Sequence, residues 1–257
     1  MREKLTVIKV GGKIVEEDDS LQRLLDDFAA IKGHKVLVHG GGRSATKIAT
    51  LLGIESKMID GRRVTDEETL KVVTMVYAGL VNKNIVAGLQ ARRVNALGLT
   101  GADLDVIRSV KRPVTIVDYG FVGDVERVDT SILSDLIQRG VVPVMAPLTH
   151  DGQGSMLNTN ADTIAAEVAK ALSALFDVTL MFCFEKKGVL RDENDDDSVI
   201  PHINRQEFEQ YVADGVIAGG MIPKLENSFD AINAGVSEAV ITSASSIYKG
   251  EGTLIQK

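Results

Sequence analysis

The chain is 257 residues long with a formal net charge of −7; 44% of it is hydrophobic and 25% charged. That length accommodates one large α/β domain or two lobes sharing a sheet. The acidic balance, with no dense Lys/Arg run, excludes a nucleic-acid binder that works through a basic face. The single cysteine, Cys183, excludes an internal disulfide or a cysteine-built metal cluster.

Tryptophan is absent and aromatics make up 4%, so the core must rest on Val, Ile, Leu and Ala. That bias suits βα units with buried parallel strands. A lone cysteine fits a reducing, cytoplasmic setting. A strand has already begun at Leu5, which leaves no room for a signal peptide. No apolar run approaches about 18 residues, so no membrane span is expected.

Leu5–Val10 (LTVIKV) reads as a buried strand ended by Gly11-Gly12, and residues 20–31 as a helix with Leu21, Leu24, Leu25 and Phe28 on one stripe. KVLV at 35–38 is a second strand, followed by His39-Gly40-Gly41-Gly42 and a helix over 44–52. Residues 66–80 and 83–93 read as two helices, and 94–97 as a strand. Residues 105–127 read as hairpins, with short strands over 106–110, 114–118 and 121–127 split by Pro113 and Gly120. A helix over 129–139 precedes a strand over 141–148 that carries two prolines. A helix follows over 161–175, then a buried strand over 178–184. The acidic run 191–198 (RDENDDDS) reads as a solvated loop; helices over 205–214 and 222–234 and a strand over 238–242 complete the chain. Alternating strands and helices predict a three-layer αβα sandwich around an open, mostly parallel sheet. Ligands of such sheets sit beyond the carboxyl ends of the strands.

No P-loop and no strand followed by Gly-x-Gly-x-x-Gly is present, so phosphate chemistry would need another scaffold. Lys9 sits inside an apolar strand, where a charge is costly without a partner, and Gly11 and Gly12 after it let amides approach an anion. A solvent-facing lysine before a plain turn fits that segment equally well. Gly40, Gly41 and Gly42 stand between a strand and a helix N-terminus, an anion-binding arrangement. A flexible connector, or a lipase-like oxyanion hole, would use the same triplet, although no Gly-x-Ser-x-Gly elbow accompanies it. In GRRVTD (61–66), Arg63 is suited to grip a carboxylate. Thr65 is the expected cap of the next helix, with Glu68 completing a capping box. In LNTNAD (157–162), Asn160 or Asp162 can cap a helix; alternatively Asp162 aims lysines. In GGMIPK (219–224), Pro223 fits a first helical turn. Lys224 there opposes the helix dipole unless an anion lies close.

The segments IKVGG, VLVHGGG, GRRVTD, LNTNAD and GGMIPK, in this order and spacing, resemble the amino-acid kinase family over essentially the whole chain. They are most similar to its members that act on N-acylated glutamates. The GEGTLI ending resembles the family's Gly-Thr C-terminus. The resemblance implies a kinase that moves the γ-phosphoryl group of ATP, with Mg²⁺, onto the side-chain carboxylate of an N-acylglutamate in arginine biosynthesis. It implies Lys9 and Lys224 as the catalytic lysines, held by Asp162. It implies Gly11, Gly12, Gly41 and Gly42 as amide donors to phosphoryl oxygens, and Gly41, Gly42, Arg63 and Asn158 as substrate-binding residues, with no protein metal ligand. It further implies two lobes on one sheet: residues 1–175 for acylglutamate and dimerisation, and 176–257 for ATP. The expected assembly is a homodimer without arginine feedback. No general base is required, because a carboxylate is already ionised at neutral pH.

One stretch departs from the family pattern: Phe184-Glu185-Lys186-Lys187-Gly188 stands where Asp-Val-x-Gly is usual, which bears on the nucleotide. Acetyl is the family's default acyl group, with succinyl open. Other acceptors of the family and a non-catalytic sensor remain as rival readings.

Overall fold

The computed structural model describes residues 2–59, 61–247 and 251–257. Gly250, at the head of the GEGTLI segment, lies outside the described residues. The first half of the chain forms β1 (Lys4–Val10), α1 (Gly12–Glu16), α2 (Asp18–Ala30), β2 (His34–His39), α3 (Gly42–Leu51), β3 (Met58–Ile59), β4 (Arg62–Arg63), α4 (Glu67–Val73), a π-helical segment (Thr74–Val81), α5 (Asn82–Ala91), β5 (Ala96–Leu99), β6 (Ile107–Lys111) and β7 (Gly123–Val128). The second half adds α6 (Thr130–Gln138), β8 (Val142–Met145), β9 (Leu148–His150), β10 (Met156–Asn158), α7 (Ala161–Leu172), β11 (Asp177–Phe184), β12 (His202–Ile203), α8 (Arg205–Ala213), α9 (Met221–Asn233), β13 (Glu238–Ser243) and β14 (Thr253–Ile255).

An eight-stranded sheet in the order β12-β14-β13-β11-β1-β2-β8-β5 runs through the molecule. Its pairings are parallel except β13 with β14. Helices cover both faces, giving the expected three layers. The strand alternation explains why. Leu5 and Val7 of β1 join one apolar cluster with residues of α7, α8 and α9, while Ile8 and Val10 join the other with residues of α2, α3, α4 and α5. Lys9 follows Val7 onto the first of these faces, at the carboxyl end of the central strand. A smaller sheet, β10-β9-β6-β7, flanks the large one.

Some elements differ from the sequence expectation. Residues 67–91 form one continuous helix of 25 residues rather than two, because nothing between Leu80 and Lys83 breaks the ladder and a π-helical stretch absorbs the phase change. This helix is long and apolar enough to cross a membrane, contrary to the expected lack of such a run. Its Val72, Val73, Val76, Val81, Ile85 and Leu89 are instead buried in the core. Pro143 is kept in β8, and the expected strand over 141–148 breaks at Ala146-Pro147. Residues 114–118 form no strand; Val114 and Ile116 are exposed and gain nothing by pairing. The cap of α4 is Asp66, whose Oδ1 accepts from the Thr69 amide at 2.8 Å, and not Thr65. Thr65 is bridged to Gly120 and buried, and its hydroxyl is taken by Asn158.

Lys35 is a buried charge on β2. Its Nζ donates to the carbonyls of Phe28 (2.8 Å), Ala29 (3.1 Å) and Ile31 (2.8 Å), so it caps the carboxyl end of α2 where the helix dipole favours a cation. Burial lowers its pKa from the ordinary lysine value. Replacing Lys35 by Met keeps the length but strands those carbonyls, and we expect a loss of about 2 kcal/mol in urea unfolding. A change below about 0.5 kcal/mol would mean that the cap contributes little.

Candidate active site

The carboxylate of Asp162 joins the two ends of the chain. Lys9 Nζ lies 2.7 Å from Oδ1 and Lys224 Nζ lies 2.8 Å from Oδ2. The geometry behind this is local in each case. Asn160, not Asp162, caps α7: its Oδ1 accepts from the amides of Asp162 (2.7 Å) and Thr163 (3.3 Å). That leaves the Asp162 side chain in the first turn of α7 free for other work. Lys224 lies in the first turn of α9, one residue after Pro223. Burial pushes the Asp162 carboxyl up, but the charges of Lys9 and Lys224 and the hydrogen bond from Lys224 outweigh it and hold the group below the ordinary aspartate value. Lys9 meets Oδ1 off the line of a good hydrogen bond, and Oδ1 has no other donor among the described residues. Lys9 is therefore paired in charge without being locked in direction.

Two glycine loops follow β1, the strand of Lys9, and its neighbour β2 at the same edge of the sheet. Ideal methyl groups built on Gly12 would lie 3.4 Å from the Gly41 nitrogen and 3.5 Å from the Gly42 nitrogen, so the amino ends of α1 and α3 converge. The amides of Gly12 and Gly42 open helices and have no intrahelical partner, and the Gly41 amide donates to no backbone carbonyl among the described residues. Gly11 differs from the other three. Its amide donates to the carbonyl of Cys183 at 3.1 Å, which anchors the loop to β11 and removes this amide from the set facing a ligand. A side chain at Gly40 or Gly41 has no room: a methyl would lie 3.0 Å from the Gly12 nitrogen or 2.9 Å from the Tyr77 ring. Cys183 is itself buried, and burial pushes its thiol up to about 12, so it serves as a small apolar residue.

Beside the loops is a cavity of about 200 Å³ lined by Gly41, Gly42, Arg63, Tyr77, Arg112, Val122, Asn158 and Asn160 among others. Arg63 donates from Nη1 to Ser56 Oγ and from Nη2 to the Gly42 carbonyl and Thr46 Oγ1, each at 2.8 Å. Those contacts fix the guanidinium and leave two of its five N–H groups for a ligand. Asn158 Nδ2 donates to Thr65 Oγ1 at 3.0 Å, which leaves its carbonyl oxygen available. Sequence reasoning missed Tyr77 and Arg112. Tyr77 is turned onto Gly41 by the π-helical segment, and burial raises its phenol pKa. Arg112 is brought in by the β6–β7 hairpin and held by both oxygens of Asp124.

On the other side, a cavity of about 380 Å³ is lined by Phe184, Lys186, Val189, Glu193, Asn194, Ile217, Ala218 and Met221. The stretch that departs from the family pattern lines it. Lys186 Nζ is 2.8 Å from Asp196 Oδ1 and 3.2 Å from the Glu193 carbonyl, and Lys187 Nζ is 2.7 Å from Asp197 Oδ1. The acidic loop stays exposed, as expected, and its Asp196 and Asp197 also pair at the surface with the two lysines. Side-chain hydrogen bonding to Asp196 raises the Lys186 pKa. Among the described residues no three His, Cys, Asp or Glu side chains gather as a metal site.

The comparisons with known proteins agree with this geometry. The family model described as "Amino acid kinase family" matches residues 4–243. Acetylglutamate kinase of Bacteroides thetaiotaomicron is 83% identical over 257 residues, covering 100% of both chains. The crystal structure of smu.665 from Streptococcus mutans UA159 superposes with a TM-score of 0.82 at 29% identity, covering 98% of each chain. Carbamate kinase from Giardia lamblia, bound to AMP-PNP, shares the fold with a TM-score of 0.68 at 17% identity, covering 99% of this chain and 98% of that one. A family match over residues 4–243 and a relative 83% identical over the whole chain leave a single conclusion: the chain belongs to the amino acid kinase family.

Proposed function

We propose that this protein transfers the γ-phosphoryl group of MgATP to the side-chain carboxylate of N-acetyl-L-glutamate, a step of arginine biosynthesis in the cytoplasm. The observation that carries the reading is the ion triad: Lys9 and Lys224 share the two oxygens of Asp162, and the amides of Gly12, Gly41 and Gly42 converge just beyond the strand that carries Lys9. A sensor that only bound its ligand would have no use for two lysines trained on one point. The acyl acceptor fits the cavity holding Arg63 and Asn158, and the nucleotide fits the cavity beside Lys186. Residues 1–175 then serve the acceptor and 176–257 the nucleotide. Pairing of two copies through the first lobe is supported by exposed apolar side chains there, among them Leu51, Leu52, Met75 and Leu80.

The reaction follows from charge and position. A carboxylate oxygen of the acceptor attacks the γ-phosphorus, an O–P bond forms, and the bond from that phosphorus to the β-bridging oxygen breaks, releasing ADP. No proton moves, because the attacking oxygen is ionised at neutral pH. Negative charge spreads over the transferring oxygens and onto the leaving oxygen, and such reactions depend on positioning and charge stabilisation. Lys9 and Lys224 are placed to supply the cations and the glycine amides to supply neutral donors. Asp162 keeps the lysines aimed; its lowered pKa means that it does so throughout the neutral range.

Incubation with MgATP, N-acetylglutamate and hydroxylamine should yield the hydroxamate of an acyl phosphate; ATP hydrolysis without hydroxamate would overturn the reading. N-succinylglutamate run alongside measures whether Arg112, at the pocket wall, admits a second carboxylate. Lys9→Ala and Lys224→Ala should each lower kcat by about 10²–10³, or ~3–4 kcal/mol; near-wild-type turnover of either variant removes that residue from the mechanism. Arg63→Met should raise the acylglutamate KM by about tenfold or more with a smaller change in the ATP KM, and the reverse pattern would place Arg63 on the nucleotide.

A further inference from the structure

We propose that His39, oriented by Asn82, is a positioning residue that locks the Gly40–Gly41 peptide so that the Gly41 amide faces the transferring phosphoryl group. The inference rests on the kinase reading above and assigns work to a histidine that the chemistry itself does not need.

The lock is a chain of hydrogen bonds whose direction the backbone dictates. Asn82 Nδ2 lies 2.9 Å from the Val144 carbonyl, which can only accept, so this end of the amide is the donor. The second proton of the same group is directed at His39 Nε2, 3.1 Å away. Nε2 is therefore the bare nitrogen, and the ring proton sits on Nδ1, which donates to the Gly40 carbonyl at 2.7 Å. The Asn82 oxygen is satisfied in turn by Lys83 Nζ at 3.1 Å, which also donates to the Gly98 carbonyl at 3.1 Å. Room for this arrangement exists only because residue 98 is glycine: a methyl there would stand 1.9 Å from Asn82 Oδ1. His39 is fully buried. Desolvation is the largest effect on the ring and lowers its pKa to about 4, against the Gly40 bond; Lys83 is the charged group that acts on it among the described residues. The neutral tautomer with its proton on Nδ1 is thus kept across the neutral range.

The consequence for the site comes from peptide geometry. In a trans peptide the carbonyl and the following N–H point in opposite directions in one plane. Pinning the Gly40 oxygen against His39 therefore aims the Gly41 N–H away from the core, beside Gly12 and Gly42. A peptide between two glycines turns over more cheaply than any other, since neither residue has a Cβ to oppose it. In the flipped state a carbonyl, not an amide, would face the phosphoryl oxygens. His39 is what opposes the flip.

The test has two independent parts. In the wild-type protein, ¹⁵N-histidine NMR should show His39 with its proton on Nδ1 and unchanged from about pH 5 to 8; a proton on Nε2, or titration near pH 6.5, overturns the proposal. In kinetics, His39→Leu should lower kcat roughly tenfold to a hundredfold while the acylglutamate KM stays within about twofold. His39→Asn, whose side-chain amide can still reach the Gly40 carbonyl, should restore most of kcat. Folded His39→Leu with wild-type kcat, or His39→Asn no better than His39→Leu, overturns it. Should His39→Leu fail to fold, Asn82→Asp decides. A carboxylate at 82 draws a proton to Nε2, so the Gly40 bond survives only while the ring is doubly protonated. The variant's kcat should then fall as pH rises through neutrality, where wild type is flat; a flat variant profile sinks the proposal. Because hydroxamate formation is scored on wild type and the NMR needs no turnover, failure of the kinase reading and failure of this one are separate results.

Discussion

A carboxylate buried between two lysines governs the architecture. Asp162 cannot stay ionised inside the protein without nearby cations; Lys9 and Lys224, from β1 and α9, supply them. The central strand, the helix after β10 and the helix near the carboxyl end are therefore tied at one point on the sheet's carboxyl edge. Breaking one partner of such a cluster leaves an uncompensated charge, so the proposed catalysis and the fold make their demands on the same three side chains.

Around that point the donors are of two kinds. The lysines carry charge and can swing; the glycine amides carry partial charge and are fixed by the backbone. Gly12, Gly41 and Gly42 come from two different helix starts, while Gly11 holds their frame to β11 through Cys183. Neighbouring glycines in one motif thus do different jobs, and only the hydrogen-bond partner of each amide tells them apart.

Much of this was legible in the sequence. Parallel strands announce themselves as apolar runs, and the pairing of Lys9 and Lys224 with Asp162 follows the lysine and aspartate positions picked out in three of the five segments. What was not legible depends on long-range pairing. Asp66 rather than Thr65 caps α4 because Asn158, distant in sequence, claims the threonine hydroxyl. The joined helix over 67–91 hides its π-helical stretch, since the one glycine inside it, Gly79, sits in an otherwise helical pattern and gives no sign of a change of hydrogen-bond register. Lys186 looks anomalous after a strand; its pairing with Asp196 in the exposed acidic run is visible only in the structure. Tyr77 carries no local signal, because its role comes from facing Gly41 across a turn of helix.

The stretch from Ala218 to Met221 borders two spaces at once. Ala218 and Met221 wall the cavity beside Lys186, and Gly219 and Gly220 wall the opening that holds Asp162 and Lys224. This short glycine-bearing stretch is therefore a wall common to both spaces, and a bulkier side chain in it would narrow the two openings together.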